Sequence, residues 1–174
     1  MHLENARLPK GLFLLLAACA LIYFSHYYSL LPNVVASHFD RRGFPNGWQT
    51  KESFFAVLAG MTVLSGFLVF VIPTIIAFMP TQLINLPNKD YWLGPDQRAA
   101  SMRFLSAWSA WFGCAVYAVI IWAFDYAVQT NLRSPHGPNP ARLWYVLGLF
   151  AAFTLVWMMR LFGRFGRPPR LPSA

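Results

Sequence analysis

Four long apolar runs separated by polar connections organise this chain. They cover approximately residues 11–31, 54–79, 104–124 and 143–159, and none of them contains an Asp, Glu, Lys or Arg. Crossing the hydrocarbon core of a bilayer takes about 20 predominantly apolar residues in a helix. The first three runs reach that length, and the fourth is shorter but reads as a span. The pattern predicts one four-span membrane domain over residues 1–174. Its fold class is all-α integral membrane, an antiparallel four-helix transmembrane bundle with an outer loop at residues 32–53 and an inner loop at residues 80–103.

Composition excludes a soluble alternative. Of 174 residues, 57% are hydrophobic and only 11% charged, too little charge to cover a small water-soluble domain. Four spans put both termini and the 80–103 loop on one side. That side carries nine basic residues, Arg7, Lys10, Lys89, Arg98, Arg103, Arg160, Arg164, Arg167 and Arg170, against five on the other, Arg41, Arg42, Lys51, Arg133 and Arg142. Positive flanks resist translocation, so the richer side is expected in the cytoplasm. The expected location is a bacterial inner membrane, crossed several times, with both termini cytoplasmic and residues 32–53 outside.

Aromatic placement agrees with this orientation. Tyr27, Tyr28, Trp122, Tyr126, Trp144 and Tyr145 cluster at the outer boundary, and Tyr91, Trp92 and Trp157 at the inner one, where an apolar ring with a polar tip suits the headgroup layer. The terminal stretch RLFGRFGRPPR, from Arg160 to Arg170, sets four Arg beside the membrane. Each basic residue near an anionic leaflet contributes about 1 kcal/mol of attraction. Lipid contact therefore accounts for the tail, and the net charge of +8 needs no nucleic-acid partner.

The outer loop NVVASHFDRRGFPNGW, Asn33 to Trp48, is too structured for a bare tether. Pro32 lacks an amide donor and ends the first helix or closely follows its end. Val34 to Phe39 reads as extended. Asp40-Arg41-Arg42-Gly43 and Pro45-Asn46-Gly47 both read as turns, since glycine permits positive φ and Asn tolerates it. A short β-hairpin on the membrane surface fits this pattern, with Trp48 as an anchor. Thr50 or Ser53 can cap the second span, and Glu52 suits the positive end of that helix.

Leu31-Pro32, His38-Phe39-Asp40, Gly43, Pro45-Asn46-Gly47-Trp48 and Lys51 together resemble the signature of a bacterial membrane family, domain of unknown function 1648. The resemblance covers approximately Leu12 to Met79, and Ala36 stands where many members carry Pro. The family includes the front portion of proteins similar to the Sdp toxin immunity protein, which protects toxin-producing cells and relays a toxin signal by holding a repressor at the membrane. What the resemblance implies is an immunity-like or signalling-like role by analogy, with Pro32, His38, Phe39, Asp40, Gly43, Pro45, Asn46, Gly47, Trp48 and Lys51 as the ligand-binding or structural residues of the outer loop.

The inner loop INLPNKDYWLGPDQR, Ile84 to Arg98, is similar to a stretch in a proteobacterial branch of the same family. Its candidate residues are Asn85, Pro87, Asn88, Lys89, Asp90, Tyr91 and Trp92. Pro87-Asn88 suggests a turn, and Gly94-Pro95-Asp96-Gln97 a helix start, with Pro in the first turn and an acid complementing the helix dipole. Lys89, Asp90, Asp96, Arg98 and Arg103 can form a charge network that receives a soluble partner. An interfacial turn with snorkelling cations is the more frequent arrangement.

Candidate chemistry is sparse. His26, His38, Asp40, Asp125 and His136 lie on the outer side, but on three separate segments and without metal-ligand spacing, so hydrogen-bonded interfacial side chains outweigh a metal site. No nucleophile elbow, phosphate loop or paired carboxylate is present, so neither an enzyme nor a cofactor is expected. Asp125 is expected to meet Arg133, Arg142 or His26. Leu16-Ala17-Ala18-Cys19 has the form of a lipoprotein cleavage box, yet apolar sequence continues through it to Leu31, which favours a span.

Two further features concern packing. Ser106, Ala110, Cys114 and Ala118 recur every four residues and let a neighbouring helix come close, either inside the bundle or in a homo-oligomer. Ala56 and Gly60 offer a similar surface. Pro73 is expected to kink the second span and free a carbonyl that needs another donor. The functional expectation is a non-enzymatic inner-membrane protein that contacts lipid and binds an envelope peptide or protein at its outer loop. A small oligomeric transporter or ion pathway is the alternative, disfavoured by the lack of ionisable residues within the spans.

Overall fold

A computed structural model describes residues 6–133 and 141–166. The order is helix α1 (Arg7–Tyr28), strands β1 (Val34–Phe39) and β2 (Pro45–Thr50), then helices α2 (Lys51–Gly66), α3 (Ile72–Phe78), α4 (Lys89–Trp92), α5 (Arg98–Leu132) and α6 (Ala141–Phe165). Four helical stretches are long and apolar enough to cross a membrane: Arg7–Tyr28, Lys51–Phe78, Arg98–Leu132 and Ala141–Phe165. The chain is thus a multi-pass membrane protein with a two-stranded antiparallel sheet between its first two spans.

The helix bounds depart from the apolar runs in informative ways. Because only apolar length is legible in sequence, the third span was expected at residues 104–124, whereas α5 has 35 residues. At about 1.5 Å per residue it is ~52 Å long, well over the ~30 Å hydrocarbon thickness. Its extensions are held by tertiary contacts at both ends. The second span begins at Lys51, with Thr50 Oγ1 accepting from the Ser53 amide at 3.2 Å, so Thr50 is the cap.

Pro73 acts through a widened turn. A π-helical segment, Phe67–Val71, separates α2 from α3 and adjoins the proline, which is buried. Thr74 Oγ1 donates to the Phe70 carbonyl at 2.9 Å and Ser106 Oγ to that of Pro73 at 3.0 Å, so side-chain hydroxyls supply donors around the break. The bulged segment also thrusts Val69 into α5. A Cβ placed on Gly113 would stand only 2.7 Å from Val69 Cγ2, so glycine is required for this approach.

Helix α5 is the element on which the others gather. Near the hairpin, Phe24, Leu31, Val35, Phe54, Leu58 and Val128 form one buried cluster. Phe13, Val69, Ala110, Cys114 and Tyr117 form a second, and Ile84, Leu93 and Met102 a third under the 80–103 loop. The small-residue stripe divides accordingly. Ala110 and Cys114 are buried in the internal cluster and Ser106 binds Pro73, but Ala118 is exposed. Ala56 and Gly60 are exposed as well. Cys114 Sγ donates to the Pro9 carbonyl at 3.0 Å, and both cysteines are free thiols.

Helix α6 is attached differently, for Phe165 is its one buried residue. Trp108 and Trp157 stack with centroids 6.3 Å apart, and each indole N–H donates to the other's carbonyl, at 3.3 and 3.1 Å. This reciprocal pair satisfies two donors in an apolar medium and fixes the register of α6 on α5. Trp157, expected at the headgroup boundary, is instead half-buried in this helix contact.

Candidate functional site

The outer-loop residues come together in a braced hairpin. Val34–Phe39 is extended as expected, and its pairing runs Val34 to Thr50, Val35 to Gln49, Ala36 to Trp48, His38 to Gly47 and Phe39 to Pro45. Ser37 and Asn46 are each left over in this register, one on each strand, so the two bulges compensate and the strands leave in step. The Lys51 amide donates to the Asn33 carbonyl at 2.9 Å, closing the hairpin where α2 begins. Pro32 is exposed just ahead of it.

Asp40 organises the turn. Its Oδ1 accepts from the Arg42 and Phe44 amides at 2.8 and 2.9 Å, while its backbone amide donates to the Phe44 carbonyl at 2.9 Å. Gly43 adopts φ 84°, the conformation in which the lack of a Cβ matters. Pro45-Asn46-Gly47 does not form the second turn expected from its composition; it belongs to β2. Gly47 serves proximity instead, since a Cβ there would lie 3.0 Å from His38 Cβ and 3.2 Å from His38 Nδ1.

Three contacts tie the hairpin to the helices. Val35 is fully buried and sits in the cluster with Phe54 and Val128. Phe39 meets the Tyr126 ring edge-on with centroids 5.6 Å apart. Asn131, from the extension of α5, uses its carboxamide as a strand partner: Oδ1 accepts from the Ala36 amide at 2.8 Å and Nδ2 donates to the Ala36 carbonyl at 2.9 Å. Two aromatic side chains nonetheless stay outward. Phe44 is 65% exposed and Trp48 61%.

The remaining polar candidates are engaged separately. His38 Nδ1 pairs with Ser37 Oγ at 3.1 Å, and the His26 ring lies edge-on to Tyr27 at 5.2 Å. Among the described residues Asp125 does not meet Arg133, Arg142 or His26. It accepts from the Tyr23 hydroxyl at 2.5 Å and from Gln129 Nε2 at 3.3 Å. Among the described residues no three His, Cys, Asp or Glu side chains are grouped for a metal, and His136 lies outside them. Arg167 and Arg170 of the basic tail lie outside them too.

The inner loop is also a brace. Asn88 takes φ 51° and donates through Nδ2 to the Phe165 and Gly166 carbonyls, both at 3.0 Å. Trp92 Nε1 adds a bond to the Phe165 carbonyl at 3.1 Å, and its ring meets Tyr91 and Phe165 edge-on. Together they cap the C-terminal end of α6. Asn85 lines a recess with Ile84 and Leu86, and Pro87, Lys89 and Asp90 are exposed. The charge network expected here is not formed among the described residues. Arg98 donates instead to Thr81 Oγ1 and, at 2.8 Å, to the Met79 carbonyl, capping α3. Asp96 and Pro95 lie in the turn before α5.

Two positions that organise these contacts, Asn131 and Tyr23, carry little signal in the sequence. The one signal for Asn131 is the polar run Gln129-Thr130-Asn131 directly after the apolar segment. Nothing in the sequence sets Tyr23 apart from the other residues of the first apolar run. In comparison with known proteins, residues 14–63 match the family described as domain of unknown function (DUF1648). The matched segment covers most of the first helix, the hairpin and most of α2, and stops short of the inner loop. No curated protein and no solved structure matches the chain.

Proposed function

We propose that this protein is a non-enzymatic membrane receptor or immunity-like component, whose hairpin cap contacts a peptide or protein in the cell envelope. The observation that carries this reading is the pair of exposed aromatics, Phe44 and Trp48, on a hairpin whose backbone is otherwise fixed by Asn131, Asp40 and the Val35 anchor. Rigid aromatic groups give a large contact area at low entropic cost, which is why they dominate binding hot spots.

The arrangement fits an antiparallel four-helix bundle. Contacts climb in parallel between α1 and α5, from Phe13 with Tyr117 to Phe24 with Phe124, and run oppositely between α2–α3 and α5, from Phe54 with Phe124 to Pro73 with Ser106. With the basic excess inside, the hairpin faces the periplasm of a bacterial inner membrane and both termini the cytoplasm. The Asn88 and Trp92 brace on the opposite face, which holds Phe165 against Phe104 of α5, then offers a route by which a change at α5 reaches the inner loop.

A photo-crosslinking residue at Phe44 or Trp48 in living cells tests the reading. Protein or peptide adducts under toxin or envelope stress are the expected result. Lipid adducts alone, with and without stress, overturn it. The second reading, a small transporter or ion pathway, draws on the Tyr23–Asp125–Gln129 cluster, a polar group within the spans. It requires solute or ion flux in proteoliposomes.

A further inference from the structure

A groove of about 700 Å³ opens between α1 and α2 in the half of the molecule nearest the hairpin. Ligand sites commonly measure ~300–1,000 Å³. Ala17, Ala18 and Ala59 line its walls, and such small side chains leave a trough where larger ones would close the seam. At one end stands Tyr117 of α5, its hydroxyl 3.2 Å from Thr62 Oγ1. At the other stand Tyr28 and Phe55, their rings edge-on at 5.1 Å. From Ala17 to Tyr28 a helix rises ~16 Å at about 1.5 Å per residue. That is half of the ~30 Å hydrocarbon core, so the groove is one leaflet long. All its lining residues except Tyr117 fall within the segment that matches the family, residues 14–63.

The groove is apolar along its length and ends at a cation. Lys51 Nζ lies over the Tyr28 ring, 5.0 Å from its centroid, and makes no ion pair among the described residues. The nearby Glu52 carboxylate accepts from the Tyr28 hydroxyl at 3.5 Å. A leaflet-length apolar slot with an ammonium group at its interfacial end is complementary to one class of molecule in a bilayer. It matches an acyl chain joined to an anionic headgroup.

We propose that this groove is a binding site for one anionic glycerophospholipid of the hairpin-side leaflet. One acyl chain lies between α1 and α2 down to the Thr62–Tyr117 pair, and the phosphate rests against Lys51. The site is separate from the outward face of Phe44 and Trp48, and it holds whichever side of the membrane the hairpin occupies. It gives Lys51 a ligand role beyond beginning a helix.

The test uses the full chain in nanodiscs of equal parts phosphatidylglycerol and phosphatidylcholine, each carrying a diazirine in its acyl chain. Adducts are mapped by mass spectrometry. Phosphatidylglycerol adducts should concentrate on groove residues of α1 and α2, and Ala59→Trp should remove most of them. Ala59 is exposed, so this substitution leaves the packed interior intact. Lys51→Gln should lower the preference for phosphatidylglycerol about fivefold, the equivalent of ~1 kcal/mol per interfacial cation. Ala151→Trp, on the exposed face of α6, should change neither. Adducts spread evenly around all four spans would overturn the proposal. So would an Ala59→Trp effect no larger than that of Ala151→Trp, or chain-to-chain adducts from a photo-crosslinking residue placed at Ala59, which would assign the groove to a second copy.

Discussion

The side-chain amide of Asn131 and the backbone of Ala36 form a two-point bond, 2.8 Å at the amide and 2.9 Å at the carbonyl, 95 residues apart in sequence. In effect α5 supplies one residue of a third strand to the hairpin. A further bond from Nδ2 to the Ala127 carbonyl, at 2.8 Å, holds the carboxamide in the required rotamer. The hairpin is thereby coupled to a helix that runs the full depth of the molecule.

Asn131→Ala should loosen the cap without disrupting the spans. Each partly buried backbone group left without a partner costs about 1–3 kcal/mol. Amide exchange at Val35 and Ala36 should accelerate by roughly tenfold or more, the equivalent of ~1.4 kcal/mol, while that of α1 and α2 stays unchanged. Asn131→Asp keeps an acceptor for the Ala36 amide but loses the donor, and should fall between the two. Unchanged exchange in both variants would show that the other contacts suffice.

Gly113→Ala should destabilise the bundle by about 1–3 kcal/mol, because its new methyl group overlaps Val69 Cγ2. Val69→Ala removes that atom, so the double variant should recover part of the loss. A double-mutant cycle read by unfolding in mixed detergent micelles should give a coupling of ~0.5–3 kcal/mol, the range for residues in contact. Strict additivity would place the cost of Gly113→Ala elsewhere.

Asn88 separates two contributions that a single substitution would merge. Asn88→Gly retains the positive φ but loses both side-chain bonds to the α6 terminus, each worth about 0.5–1.5 kcal/mol. Asn88→Ala loses the same bonds and adds ~1–2 kcal/mol of left-handed backbone strain. The alanine variant should therefore be the less stable of the two by thermal aggregation in detergent. Equal stability would remove the backbone argument.

Asp125→Asn should be nearly silent. The carboxamide oxygen still accepts from Tyr23 and Gln129, so the change in stability should stay within about 0.5 kcal/mol. Tyr23→Phe removes the donor and should cost about 0.5–1.5 kcal/mol. Ion flux in proteoliposomes should be at the level of empty vesicles for the native chain and both variants. Flux in the native chain that Asp125→Asn diminishes would instead support the transport reading.

The sequence by itself determined the four spans and the extended stretch Val34–Phe39. It did so because lipid selects on apolar length, and because a Pro, an Asp and a Gly at fixed offsets delimit a turn through their own backbone preferences. Only the tertiary structure decided that α5 runs on to Leu132, that Gly47 makes room for His38 rather than turning the chain, and that Asp125 meets Tyr23. These outcomes depend on which distant backbone group or side chain arrives at hydrogen-bonding or van der Waals distance. A pattern of polar and apolar positions records where a residue prefers to lie, whereas its partner is fixed only when the helices pack.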